Sequence, residues 1–138
     1  MSRLIETLRR HEGVKNTLYK CTSDKWTIGV GRNLEDVGIS EAEIDYLLEN
    51  DITRTEDLLD DYMSWWRDLD SIRQEAMVNF VFNVGIGTAQ KFKKAMAALE
   101  EQDYNTAADE MLDSAWAKQV GDRAIEVTEM IRTGEYQD

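Results

Sequence analysis

Proline is absent from this 138-residue chain, and cysteine and histidine occur once each. Without proline, no helix or strand is interrupted by a residue that lacks its backbone N–H. A single cysteine cannot close an internal disulfide, and one reduced thiol suits the cytosol. His11 and Cys21 alone make a poor zinc set unless several carboxylates join them, so metal dependence is not expected. No apolar run approaches the ~18 residues of a membrane span, so stable membrane insertion is not expected. The opening stretch MSRLIETLRRHEG also lacks the apolar core and small-residue cleavage site of a secretory signal. Internal repeats, long linkers and low-complexity segments are missing as well.

Positive charge is scarce. Sixteen Lys and Arg face twenty-eight Asp and Glu, for a net charge of -12. Residues 1–40 hold seven basic against five acidic side chains, whereas residues 41–70 hold two against eleven. Non-specific nucleic-acid binding needs a basic footprint, so no nucleic-acid partner is expected. The acidity fits a solvated helix face, with nucleic-acid mimicry as the other reading. Hydrophobic residues at 42% and charged residues at 32% suit a globular chain, long enough for one domain with room for two lobes.

Residues 2–12 read as a short helix with Ser2 as N-cap, an apolar stripe of Leu4, Ile5 and Leu8, and Gly13 to close it. Tyr19, Trp26, Ile28 and Val30 then fit a β-rich segment whose first turn is Thr22–Lys25. The glycines of TIGVG permit bends or close backbone approach. Ile39-Ser40-Glu41-Ala42-Glu43-Ile44 carries a capping box, Ser40 with Glu43, and opens a connecting helix over residues 41–60. Residues 71–84, SIRQEAMVNFVFNV, are apolar on nearly every side and belong inside a core. Further helices are expected near 89–100, 104–113 and 121–133.

Three blocks stand out in order: HEGVKNTLYK with WTIGVGRN, then RQEAMVNFVFNVG, then SAWAKQVGDRA with IRTGEY. Together they resemble the tailed-phage type lysozymes, muramidases of glycoside hydrolase family 24. The resemblance spans almost the whole chain. It implies an α+β, two-lobed fold in which a small β-hairpin-containing N-terminal lobe is joined by a long helix to a larger all-helical lobe. In these terms residues 1–138 are one lysozyme-like domain. Residues 13–40 form its β part, 41–60 the connecting helix and 61–138 the helical lobe, with helix 2–12 packing near that lobe. Peptidoglycan is expected in the cleft between the lobes.

Residue by residue, Glu12 matches the family's catalytic glutamate and Thr27 the threonine that helps hold water. Cys21 stands where the family has an aspartate, and Arg32 where it has a histidine. Cleaving a β-1,4 glycosidic bond needs a proton for the leaving oxygen and a nucleophile at the anomeric carbon. Glu12 can give the proton, and a polarised Cys21 thiol, ordinarily of pKa about 8.5, can accept one from water. A buried structural thiol is the competing reading of Cys21. Asp24, three residues on, is a possible substitute carboxylate, although an Asp in TSDK more often closes a turn. The resemblance makes Arg123 the support for Glu12. Tyr19 is read as steadying the catalytic segment or packing in the sheet. Arg32, Asn83, Phe82 and Trp116 are candidate substrate contacts, with core packing the alternative for Phe82 and Trp116.

The expected function is hydrolysis of the bond between N-acetylmuramic acid and N-acetylglucosamine, with inversion, by a monomer that lyses a host cell. It would accumulate in the host cytoplasm and reach the wall or periplasm after a holin-like partner opens the membrane. Two alternatives stay open: a lytic transglycosylase that relies on Glu12, and a non-catalytic wall-binding or decoy protein.

Overall fold

The computed structural model describes residues 1–138. The chain divides into two compact units, Met1–Leu47 and Leu48–Asp138. A small N-terminal lobe with a β-sheet is joined through a long helix to a larger all-helical lobe, the fold that the resemblance implies.

Unit one begins with α1, Ser2–Glu12. Met1, not Ser2, is its N-cap, and no side chain caps it; the Met1 carbonyl accepts from Ile5 N–H instead. The stripe of Leu4, Ile5 and Leu8 is present but exposed, and α1 buries none of its residues. Gly13, at φ 79, ends the helix as expected. A three-stranded antiparallel sheet follows in sequence order: β1 Lys15–Lys20, β2 Trp26–Gly29 and β3 Arg32–Asn33. Tyr19 pairs with Thr27 across β1 and β2, and Thr27 with Asn33 across β2 and β3. Val30 lies in the tight β2–β3 turn rather than in a strand. Thr27, 2% exposed, is the one buried residue of this unit.

The second helix, α2, runs over Glu41–Tyr62, two residues beyond the expected end. The capping box forms: Glu43 Oε1 accepts from Ser40 N–H at 2.8 Å and Ser40 Oγ from Glu43 N–H at 3.2 Å. A short 3-10 turn, Ser64–Asp68, was not legible in the sequence. It leads to α3, Ser71–Val84, whose bounds match the apolar stretch and whose N-cap is Asp70. Burial of α3 is one-sided rather than complete. Ala76, Met77, Phe80 and Val81 are buried, whereas Phe82 is 43% exposed.

The expected helix over 89–100 is two: α4, Ile86–Lys91, and α5, Lys93–Glu100. Phe92 leaves helical geometry between them, and its ring meets Phe80 edge-on at 5.1 Å between centroids. Trp116 completes this aromatic group at 4.8 Å from Phe80. Its helix, α7 (Ala115–Val120), lies between α6 (Tyr104–Leu112) and α8 (Asp122–Thr133) and was not foreseen. Every buried apolar side chain belongs to unit two, from Leu59 to Ile131. Arg73 ties its ends together: Nε donates to Ile131 O at 2.6 Å and a terminal nitrogen to Arg132 O at 3.0 Å. Its guanidinium also lies 3.5 Å over the Tyr104 ring.

Two expectations follow. Phe80→Ala should remove about 3–5 kcal/mol of stability and lower Tm by about 10–20 °C. Phe82→Ala, on the exposed side of the same helix, should cost less than about 1 kcal/mol. Equal losses in calorimetry would contradict the one-sided burial.

Glu43 generates the second. The Arg32 guanidinium, then the N–H and hydroxyl of Ser40, pull its carboxyl down to about 2. The folded value lies below the unfolded one of about 4.3, so this stabilisation is present above that pH and fades as pH falls towards about 2. The urea midpoint of the wild type should therefore drop more steeply over that window than that of Glu43→Gln. Parallel curves would show that the carboxyl does not contribute.

Candidate active site

Residue 25 organises the turn between β1 and β2. Its carbonyl accepts from Cys21 N–H at 3.0 Å and from Thr27 Oγ1 at 2.8 Å, so the Cys21 backbone and the Thr27 side chain meet at one acceptor. Asp24 N–H donates to Cys21 O at 2.8 Å and closes the turn. Cys21 is free and half-buried. The Lys25 N–H, then the Ser23 N–H and the Thr27 hydroxyl, hold its thiol below the ordinary value, against a smaller opposing effect of burial. Thr27 has one hydroxyl hydrogen to divide between Lys25 O and the sulfur, and it keeps lone pairs for a water.

Glu12 reaches this unit's second turn from the end of α1. It is exposed, and its carboxylate lies over Gly31, where a built Cβ would stand 2.8 Å from Oε2. Gly31 has φ 71, so the turn needs glycine both for its backbone and for the space. The glycines of TIGVG were read as allowing close approach. The structure shows that one of them admits Glu12.

Asp24 lies at the surface of the turn. It sits at φ 61, its side chain is 87% exposed, and it pairs with Lys20 at 3.7 Å. Tyr19, half-buried, faces Thr27 across the ladder. Arg32 is committed inside the unit: it donates to Gly38 O at 3.0 Å and meets Glu43 at 2.8 Å. Around that pair lies a largely apolar groove of about 940 Å³, lined by Ile28, Val30, Leu34, Val37 and Ile39 among others.

Unit two holds the remaining candidates in two separate places. Asn83 Oδ1 accepts from Trp116 Nε1 at 2.7 Å, and both line a hollow of about 500 Å³ with Thr88 and Gln119. Trp116 is buried, so it serves the core and the hollow at once. Phe82 and Arg123 line another groove, of about 530 Å³, with Ile52 and Asn79. Arg123 donates from Nε to Asn79 Oδ1 at 3.0 Å and from a terminal nitrogen to Asn79 O at 3.3 Å. Asn79 was missed, although a polar residue four before Asn83 in an apolar helix was a visible signal. Lys25 was missed for a different reason: its contribution comes from its backbone, which no side-chain pattern announces. No cluster of His, Cys, Asp and Glu is suited to hold a metal, and no helix is long and apolar enough to cross a membrane.

A sequence model of the family described as phage lysozyme matches residues 9–132, from just before Glu12 to the end of α8. The chain belongs to the phage lysozyme family. It is accordingly a lysozyme-type enzyme with a general role in hydrolysing peptidoglycan. Among its relatives is "Probable T4-type lysozyme 1" of Dictyostelium discoideum, 29% identical, with 97% of this chain and 96% of the relative covered. That alignment runs over 163 positions, so the relative carries segments that this 138-residue member lacks. The chain is also 28% identical to "Pre-baseplate central spike protein Gp5" of Enterobacteria phage T4, over 95% of this chain but 28% of that protein. An "Endolysin" of Acyrthosiphon pisum secondary endosymbiont phage 1 is 29% identical, over 84% of this chain and 80% of its own.

The two turn glycines offer a controlled test of this family member. Gly29 and Gly31 share a positive φ, but nothing lies within 4 Å of a Cβ built on Gly29. Each Gly→Ala change should cost about 1–2 kcal/mol through backbone strain. Only Gly31→Ala should also push Glu12 aside, lowering the rate of wall digestion by roughly 10- to 100-fold. Equal activities for the two variants would mean that the position of Glu12 is not critical.

Proposed function

We propose that this enzyme is an N-acetylmuramidase that cleaves the β-1,4 bond between N-acetylmuramic acid and N-acetylglucosamine with inversion. Glu12 donates its proton to the leaving oxygen. Thr27 holds a water, and Cys21 as thiolate takes the proton which that water loses as it attacks the anomeric carbon. The products are a reducing end, a free hydroxyl, ionised Glu12 and neutral Cys21, which re-equilibrate with solvent. A covalent thioglycoside is disfavoured, because its hydrolysis would have to break a carbon–sulfur bond.

The observation that carries this reading is the shared attachment of Cys21 and Thr27 to the Lys25 carbonyl. It anchors the Cys21 backbone and the Thr27 side chain at one point, and the Thr27 hydroxyl is among the groups that hold the thiol below its ordinary value. A base works best with a pKa near the operating pH, and a thiol held below its ordinary value moves in that direction. Asp24 is a weaker candidate, being exposed and paired with Lys20. Arg32 would offer a peptide carboxylate little free charge, since Glu43 already neutralises it. We read Arg123 as supporting Glu12, Tyr19 as steadying the sheet beside Thr27, and Asn83, Phe82 and Trp116 as substrate contacts. The family and the endolysin relative support a reading as an enzyme of host-cell lysis, and we read it as a monomer. In this reading it accumulates in the host cytoplasm and is released to the wall by a holin-like, membrane-disrupting partner.

One observation favours a second reading. Thr27 is only 2% exposed and its hydroxyl hydrogen is engaged by Lys25 O, which limits the access of a water to it. Glu12 would then act with the sugar's own hydroxyl, as in a lytic transglycosylase.

Mass and early anomeric analysis of muropeptides released in ¹⁸O-water separates the two. Hydrolysis should leave inverted reducing ends that carry solvent oxygen; anhydro ends would remove Cys21 from the reaction. Glu12→Gln should lose about 10²–10⁴ in rate at unchanged folding. Cys21→Ser should be strongly impaired and Cys21→Asp should retain useful activity. A larger defect in Asp24→Asn than in Cys21→Ser would move water activation to Asp24. Binding to the wall without release of fragments would favour a non-catalytic module.

A further inference from the structure

The segment that serves Cys21 and Thr27 is held from outside the sheet. Strand β3 ends at Asn33, and Leu34 N–H still donates to Trp26 O at 2.9 Å. The next rung of that ladder is not a backbone one. Trp26 N–H donates to a side chain, Glu35 Oε1, at 2.9 Å. The other oxygen, Oε2, lies 3.9 Å from Lys25 Nζ, which Asp36 also approaches at 3.6 Å. One carboxylate thus grips residues 25 and 26 together; the residue 25 carbonyl is the acceptor for the Cys21 N–H and the Thr27 hydroxyl, and its N–H helps to lower the Cys21 thiol.

We infer that Glu35 is a positioning residue for the Cys21–Thr27 pair, anchoring the Lys25–Trp26 peptide so that its backbone groups stay aimed at both. The inference deepens the reading in which Cys21 takes part in the reaction and rests on it for its catalytic meaning. Its structural content can be measured without any turnover.

Electrostatics provides a test by sign. The charged groups around the turn are Lys20, Asp24 and Lys25, with Glu35 and Asp36 from the segment after β3; Glu12 lies at the other turn, over Gly31. If Glu35 acted only through its charge, removing it would favour the thiolate and make Cys21 more acidic. If it acts by holding the peptide, losing its reach slackens the donors to sulfur and makes Cys21 less acidic. The two mechanisms move the thiol in opposite directions.

The measurement is the pH dependence of alkylation of the folded full chain by iodoacetamide, in which Cys21 is the sole thiol. Three variants separate reach from charge. Glu35→Gln keeps an oxygen for Trp26 N–H and loses the charge, so its midpoint should stay or fall slightly. Glu35→Asp keeps the charge and is one methylene too short, so its midpoint should rise and alkylation near neutral pH should slow by at least about threefold. Glu35→Ala should behave like Asp or more so; if it fails to fold by circular dichroism, the Gln and Asp pair still decides. Turnover should follow the same order, with the loss in kcat rather than KM. A raised midpoint with unchanged turnover would keep the positioning role and take Cys21 out of the chemistry. A midpoint that falls or stays in Glu35→Asp, or rises in Glu35→Gln as far as in Glu35→Asp, would overturn the inference.

Discussion

The carbonyl oxygen of Lys25 accepts two hydrogen bonds, from the backbone of Cys21 and from the hydroxyl of Thr27, and the candidate chemistry depends on that sharing. Unit one has no apolar core to hold its sheet: Thr27 is its one buried residue. Hydrogen bonds and ion pairs must therefore supply the definition that packing supplies elsewhere. The Ser40–Glu43 box, the Arg32–Glu43 pair and the Glu35–Trp26 bond are of this kind. They are exposed or, for Arg32–Glu43, half-buried, and each is individually modest in energy. Their effect lies in geometry, since each fixes a short stretch of backbone next to a reactive or turn residue.

Unit two is organised by the opposite means. Met77, Phe80, Leu99, Met111 and Ile131 are fully enclosed, and three aromatic rings meet edge-on around Phe80. Polar groups that enter this interior find partners, as Trp116 does with Asn83 and Thr128 with Ala124 O. Arg73 satisfies carbonyls at the end of α8, which a helix terminus otherwise leaves unpaired, and so fastens α8 to α3. Tyr136 hydrogen-bonds Glu75 just beyond that point and carries the same fastening into the C-terminal residues. Stability resides mainly in this unit and the proposed acid–base chemistry in the other, which suits a site that must admit a polymer.

In the proposed mechanism a thiol does the work of a carboxylate, and that changes what the surroundings must do. An aspartate is ionised near neutrality without help, whereas a thiol needs donors to become a useful base. Here those donors are backbone N–H groups of the turn itself, which require the turn to be held still. A side chain after β3 that closes the last rung of the ladder is a means of holding it.

The sequence alone was enough for the bounds of α1 and α3 and the capping box, and it nominated Glu12, Cys21 and Thr27 as a set. These follow from local signals: periodicity, cap residues, and motifs a few residues long whose meaning does not depend on distant contacts. Tertiary structure decided the break at Phe92, the one-sided burial of α3, the commitment of Arg32 to Glu43 and the turning of Asp24 to solvent. It also decided the role of Lys25, which lies in a carbonyl and an N–H that every residue possesses. A sequence names side chains. Which backbone group faces which sulfur is settled only when residues 21, 25, 27 and 35 have been brought together, because hydrogen bonds act over about 3 Å and not along the chain.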